Sequence, residues 1–264
     1  MNQKKVLFFD IDGTLLTPHK RIVEQETIDI LKELSKMDNI DMYISTGRSR
    51  QTLKEIEHII PYFKGLNLAN GGNIIIGDQE YFFLMEEELV RKLVKFLNKN
   101  KISYGVLTKN NNLRMYFSKE IKDAFDKAVD ASYILLKEDD DFFFNEVVQF
   151  WVLGNNTELD LVKNNFDDLT IFYWGNFGSD VIPKGRDKAS GIKEIMKIME
   201  YDYKNTFAFG DSDNDVPMFK VVNTSITMGK STIDAVKNAT YQTDLIENAG
   251  LAKAIRKYVL ENKK

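Results

Sequence analysis

Four apolar residues, Val6 to Phe9, run without a break into Asp10-Ile11-Asp12-Gly13-Thr14, and Leu15-Leu16 follow at once. No other junction constrains the chain as much. A short, continuous apolar run ending at a turn suits a strand buried on both faces, as in a parallel sheet covered by helices. Two carboxylates one residue apart at the end of such a strand project to the same side, and the glycine lets the chain turn sharply after them. A pair of this kind attracts a hard cation, because magnesium is held by one or two carboxylates together with the oxygens of a phosphate. Acids on a solvated loop would have no need of apolar residues on either side. Asp10 and Asp12 therefore fit a nucleophile and an acid/base flanking a metal-bound phosphate.

The chain repeats this design. Met42-Tyr43-Ile44-Ser45-Thr46-Gly47-Arg48 is an apolar strand broken by hydroxyls and a glycine, with a helical pattern from Ser49 to Ile60. A helix N-terminus there would expose free N–H groups, and Thr46, Gly47 and Arg48 would complete an anion cradle. A third junction, Thr206-Phe207-Ala208-Phe209-Gly210-Asp211-Ser212-Asp213-Asn214-Asp215, adds oxygen ligands for a metal. Before it, the loop from Pro183 to Gly191 leads into a helix and offers Lys184 and Lys188 as point charges for a phosphate, Lys188 being nearer the helix start.

The order of these motifs, Asp-x-Asp-Gly-Thr, a hydroxyl after a strand, a lysine and Gly-Asp-x-x-Asn-Asp, resembles the motif set of the haloacid dehalogenase superfamily of phosphatases, and the match spans the chain. The long stretch between Arg48 and Lys188 resembles the Cof-type, subfamily IIB, sugar-phosphatase-like hydrolases, which carry an α/β cap of type C2B after the second motif. The resemblance implies that Asp10 is the nucleophile and Asp12 the general acid/base. It also implies that Thr46, Gly47, Lys188 and Asn214 bind phosphate, and that Asp215 supports them. Magnesium would be the cofactor, held by the Asp10 and Asp211 carboxylates and the Asp12 carbonyl. The expected activity is hydrolysis of small phosphorylated metabolites through an aspartyl-phosphate. A phosphomutase using the same chemistry and a non-catalytic phosphosugar-binding protein are the alternatives.

Composition agrees. The 264 residues are 43% hydrophobic, enough for a core domain with an inserted one. A net charge of −4 gives no general attraction to nucleic acid. With no cysteine and only His19 and His58, thiolate chemistry, disulfides, a zinc site and a histidine-based machine are excluded. The polar N-terminus leads within a few residues to the first strand, so neither a signal peptide nor a membrane span is expected there. A cytoplasmic enzyme, monomeric or homodimeric, is the expectation.

Strands over 6–9, 42–44 and 66–69 alternate with helices over 23–37 and 49–60, which implies a Rossmann-like, doubly wound parallel sheet with ligands beyond the strands' carboxyl ends. Asn70-Gly71-Gly72 then joins two apolar runs as a hairpin, and Asn70 is a candidate for the site. The α/β fold is thus expected as a core of residues 1–83 plus 184–264 with an inserted α/β cap of 84–183. In the cap, helices are expected over 86–98, 119–129 and 158–166, among strands near 102–107, 113–117, 147–153, 170–174 and 180–182. The acidic run 137–141 reads as a solvated connection. Arg114, Trp174 and Asn176 are candidate substrate contacts. After Lys188 the core is expected to resume with a helix to Met199, strands over 206–209 and 225–228, and helices over 216–221, 232–238 and 251–260.

Overall fold

The computed structural model describes residues 4–118, 121–128, 132–137 and 143–261. Its chain divides into two compact units. One runs to Gly47, resumes over Leu53–Tyr81 and again from Asp187; the other comprises Arg48–Thr52 and Phe82–Arg186.

In chain order the first unit begins with β1 (Lys5–Phe9), α1 (Gln25–Leu34), β2 (Ile40–Ser45), β3 (Gly65–Leu68), β4 (Asn73–Ile76) and β5 (Gln79–Phe82). The chain then forms α2 (Glu87–Lys99), β6 (Ser103–Thr108), β7 (Leu113–Tyr116), α3 (Lys122–Ala128), β8 (Ile134–Leu135), β9 (Val147–Leu153), α4 (Asn156–Lys163), β10 (Leu169–Tyr173) and β11 (Gly178–Pro183). It returns with α5 (Lys188–Ile198), β12 (Thr206–Gly210), α6 (Val216–Phe219), β13 (Thr224–Thr227), α7 (Ile233–Asn238), β14 (Tyr241–Gln242) and α8 (Gly250–Ala254), which continues as a π-helical segment, Ile255–Leu260.

The first unit's sheet has the order β14-β13-β12-β1-β2-β3-β4-β5. From β14 to β3 its pairs are parallel, and the β3–β4 hairpin is antiparallel. Burial on both faces explains the unbroken apolar run in β1. Leu7 and Phe9 join Ile30, Leu31 and Leu34 of α1 and Leu251 and Ala254 of α8 in one cluster, while Phe8 stacks on Tyr43 across the opposite face, ring centres 5.5 Å apart. The register aligns Phe9 with Phe209 on one side and with Ile44 on the other. Asp10, Ser45 and Gly210 therefore end three adjacent parallel strands at one level, the position where such sheets bind ligands.

The second unit is a sheet of order β10-β11-β9-β6-β7-β8. Tyr104, Val106, Phe150, Val152 and Val181 on its strands pack with Val90, Leu93 and Leu97 of α2 and Leu159 and Val162 of α4. A smaller cluster of Leu113, Met115, Trp151 and Leu153 takes Phe125 of α3. Residues 119, 120 and 129 of the expected helix and residues 138–141 of the acidic run lie outside the described residues.

One expectation fails. The segment 49–60 is not an α-helix but single 3₁₀ turns, Arg50–Thr52 and Lys54–Ile56, with a further turn at Ile60–Tyr62. The Ser49 carbonyl accepts both the N–H and the hydroxyl of Thr52, at 3.1 and 3.0 Å, and Arg48 Nη1 donates to the Thr52 carbonyl at 2.7 Å. Such local bonds compete with the i→i−4 ladder, and Pro61 could not continue it. Among the described residues no helix is long and apolar enough to cross a membrane.

Candidate active site

The turn after β1 winds around one carbonyl. The Ile11 oxygen accepts the N–H groups of Thr14, Leu15 and Leu16 at 3.2, 2.9 and 2.8 Å, and buried Ile11, Leu15 and Leu16 anchor the turn in the core. Gly13 has φ +83°, and a Cβ there would lie 2.4 Å from Asp211 Oδ2. A side chain at 13 is therefore excluded both by backbone conformation and by the approach of the loop after β12.

Asp10, only 4% exposed, continues the β1 ladder by donating its N–H to the Phe209 carbonyl at 2.9 Å. Its carboxylate receives Lys188 Nζ at 2.6 Å. Lys188 is the first residue of α5, whose start is fixed by a reciprocal cap: Asp187 Oδ1 accepts the Ser190 N–H at 2.8 Å, and Ser190 Oγ accepts the Asp187 N–H at 3.0 Å. The lysine is fully buried, and its ammonium also donates to Asp215 Oδ1 at 2.6 Å and Asn214 Oδ1 at 3.1 Å. Asp215 Oδ2 accepts the N–H groups of Asp211 and Ser212 at 2.9 and 3.0 Å. Asp215 is thus committed to shaping the loop and holding the lysine, whereas Asp211 Oδ1 is buried with no hydrogen-bond partner.

Carboxylate oxygens of Asp10, Asp211 and Asp215 lie within 4.8 Å of one another. Fully ionised, three carboxylates against one ammonium would carry an excess of two negative charges in a buried space. Burial, reinforced by Asp215 and only partly relieved by Lys188, pushes the Asp10 carboxyl up to about 7. Burial and then the neighbouring Asp10 push Asp211 up to about 9. Burial works against the charge of Lys188, but Asp10 and Asp215 outweigh it and hold the ammonium above the ordinary lysine value. An all-oxygen set with two surplus charges and a partnerless carboxylate oxygen fits a hard divalent cation, with Asp10 and Asp211 the carboxylates free to hold it.

Asp12 is half-exposed and receives Arg21 Nη1 at 3.2 Å. Arg21 is also paired with Glu55 through both Nε, at 2.7 Å, and Nη2. Thr46 follows β2; its N–H donates to the Asn67 carbonyl at 2.9 Å, and its carbonyl accepts the Asn70 N–H at 3.0 Å. Gly47 comes next, but with no α-helix following it the expected helix-end contribution to an anion cradle is absent. Asn70 is buried in the β3–β4 turn with φ +50°. Asp10, Asp12, Thr46, Gly47, Asn70, Lys188, Asp211, Asn214 and Asp215 all belong to the first unit, and Arg48, Arg114, Trp174 and Asn176 to the second. There Trp174 packs edge-on against Trp151, ring centres 5.3 Å apart, and exposed Asn176 accepts a long contact, 3.4 Å, from Asn156. Sequence reasoning missed Arg21, Glu55, Ser212 and Asn67. Only Asn67 carried a signal, as a polar residue inside the apolar run 66–69.

The haloacid dehalogenase-like hydrolase family model matches residues 7–255. The chain belongs to that family and is an enzyme of the phosphatase class. It is 26% identical over 264 residues to the Bacillus subtilis protein YkrA, covering 96% of each chain. It is 28% identical over 261 residues to the 5-amino-6-(5-phospho-D-ribitylamino)uracil phosphatase YcsE of the same organism, covering 97% of this chain and 96% of that one. Among solved structures, the subclass IIB sugar phosphatase BT4131 superposes with a TM-score of 0.85 at 25% identity, covering 97% of this chain and 99% of that one.

Proposed function

We infer that this enzyme hydrolyses phosphate monoesters of small cytoplasmic metabolites, sugar phosphates among them, through an aspartyl-phosphate on Asp10 and with magnesium as cofactor. The observation that carries the reading is Asp10 itself, a buried carboxylate at the end of a central strand, held by Lys188 and facing the partnerless oxygen of Asp211.

The proposed chemistry has two steps. An Asp10 oxygen attacks phosphorus as the bond to the ester oxygen breaks, and Asp12 gives that oxygen its proton. In the second step Asp12 takes a proton from water, the resulting hydroxide attacks phosphorus, and inorganic phosphate leaves with Asp10 restored as a carboxylate. Splitting the displacement in this way replaces one difficult barrier by two lower ones, and proton transfer by a positioned carboxyl contributes about 10² to 10⁴-fold. Lys188, fixed by Asp215 and Asn214, is placed to stabilise charge on the phosphoryl oxygens with little reorganisation; Thr46 and Gly47 are the proposed neutral donors. Magnesium, when bound by Asp10, Asp211 and the Asp12 carbonyl, would supply further charge neutralisation at those oxygens. We assign substrate selection to the second unit, with Arg48, Arg114, Trp174 and Asn176 as candidates and Asn70 as a candidate from the first.

YcsE is named for a phosphorylated ribityl compound and BT4131 for sugars, so a substrate panel begins with sugar phosphates and phosphorylated polyols. Phosphate release from members of this panel with magnesium present, lost by several orders of magnitude in Asp10→Asn, is the expected result. Conversion of a sugar phosphate to its isomer without net phosphate release would support a mutase instead. Turnover of Asp10→Asn above about a tenth of wild type would remove Asp10 as nucleophile, since losing a covalent nucleophile costs far more than tenfold.

A further inference from the structure

Asn67 is fully buried in β3, where a parallel strand covered on both faces ordinarily takes an apolar residue. Burying a carboxamide is costly unless its polar atoms are used. Its Nδ2 donates to Ser45 Oγ at 2.9 Å and to the main-chain carbonyl of Lys188 at 2.9 Å. The second partner can only accept, so the nitrogen end of the amide is fixed by chemistry. The main-chain carbonyl of the same residue holds the Thr46 N–H at 2.9 Å. One residue thus reaches both the strand end that carries Thr46 and the first residue of the helix that carries Lys188.

The helix is docked here at backbone distance. A Cβ on Gly191, one turn into α5, would fall 1.9 Å from Asn67 Oδ1, and a Cβ on Gly71 would fall 2.3 Å from the Asp187 carbonyl. The amide is therefore clamped between β2 and α5 with no slack on the helix side. Its Oδ1 is buried without a hydrogen-bond partner, a cost that packing alone does not explain and that an apolar side chain of the same size would avoid.

We propose that Asn67 is a positioning residue for phosphoryl transfer, acting as a buried brace that sets the distance between the Ser45–Thr46 strand end and the Lys188 ammonium. This rests on Lys188 being a phosphate ligand. Small misplacements of such groups are expensive, about 10²-fold for 1 Å.

A double-mutant cycle tests it. Asn67→Leu keeps the side chain's size and removes its hydrogen bonds. With p-nitrophenyl phosphate as substrate, it is expected to lower kcat/KM by about tenfold and to raise the inhibition constant of inorganic phosphate by a similar factor. On a Lys188→Ala background the same change is expected to have less than about a twofold effect, because the ammonium it positions is gone. A merely structural role would reduce the active fraction, lowering kcat with the inhibition constant unmoved and by the same factor on both backgrounds, and that result overturns the brace. If Asn67→Leu does not fold, Ser45→Ala removes one end of the brace and is judged by the same criterion, an unchanged inhibition constant counting against it. Wild-type activity in Lys188→Ala alone would instead overturn the reading of the site on which the brace depends.

Discussion

The carboxylate cluster dictates how the stability of the metal-free protein varies with pH. Asp10 moves from 3.8 to about 7 on folding, so the folded state binds its proton more tightly than the unfolded chain by about 4 kcal/mol, at 1.36 kcal/mol per unit. The sign follows from linkage: between pH 4 and 7 the folded state retains a proton that the unfolded chain has released, so stability falls as pH rises. Asp211, raised to about 9, extends the fall beyond neutrality. Asp41, where bonds from Lys64, Tyr201 and Lys4 outweigh burial, and Asp244, held at about 2 by Lys253, titrate below this window. With Tm moving about 2 to 4 °C per kcal/mol for a chain of this size, the roughly 3 kcal/mol that Asp10 loses between pH 5 and 7 should lower the unfolding midpoint in EDTA by about 6 to 12 °C, and Asp211 should carry it lower still by pH 8. Added magnesium should raise the midpoint more at pH 8 than at pH 5, because the cation competes with the protons for the same oxygens. A midpoint that is flat or rises with pH in EDTA, or a slope unchanged in Asp211→Asn, would refute the reasoning.

EDTA should abolish phosphate release and magnesium should restore it, whereas undiminished turnover in chelated protein would point to a different chemistry. Gly13→Ala should cost about 1–2 kcal/mol in denaturant unfolding from the left-handed backbone alone, and should also lower activity because its methyl group displaces Asp211; full activity would show that the Asp211 carboxylate has no fixed role. Trp174→Ala should reorder the panel of natural substrates while sparing p-nitrophenyl phosphate, a small ester with an activated leaving group, whereas Lys188→Ala should damage both alike. Equal losses on both substrates for Trp174→Ala would leave it a packing residue of the Trp151 cluster.

The strands that carry chemistry were legible because polarity changes abruptly at their ends. Val6 to Phe9 reads as a covered strand, and Asp10 marks where it stops; the same holds for Ser45–Thr46 and Gly210–Asp211. Segment 49–60 misled because its apolar spacing suits a helix, while Ser49, Thr52 and Pro61 favour separate turns. Strands β8 and β14 are two residues each, too short to show any period. The Lys188–Asp10 bond joins residues 178 apart, and nothing local to either residue encodes it. Arg21 was invisible for a similar reason, since its partners Asp12 and Glu55 come from separate segments of the chain. Asn67 shows the limit most directly. Its polarity within Leu66-Asn67-Leu68 was readable, but its meaning depended on a register that sets it beside Ser45 and on a helix that enters from residue 188. A buried amide is compatible with the sheet only because those two partners arrive there, so the same contacts that make Asn67 tolerable connect Thr46's strand end to Lys188's helix.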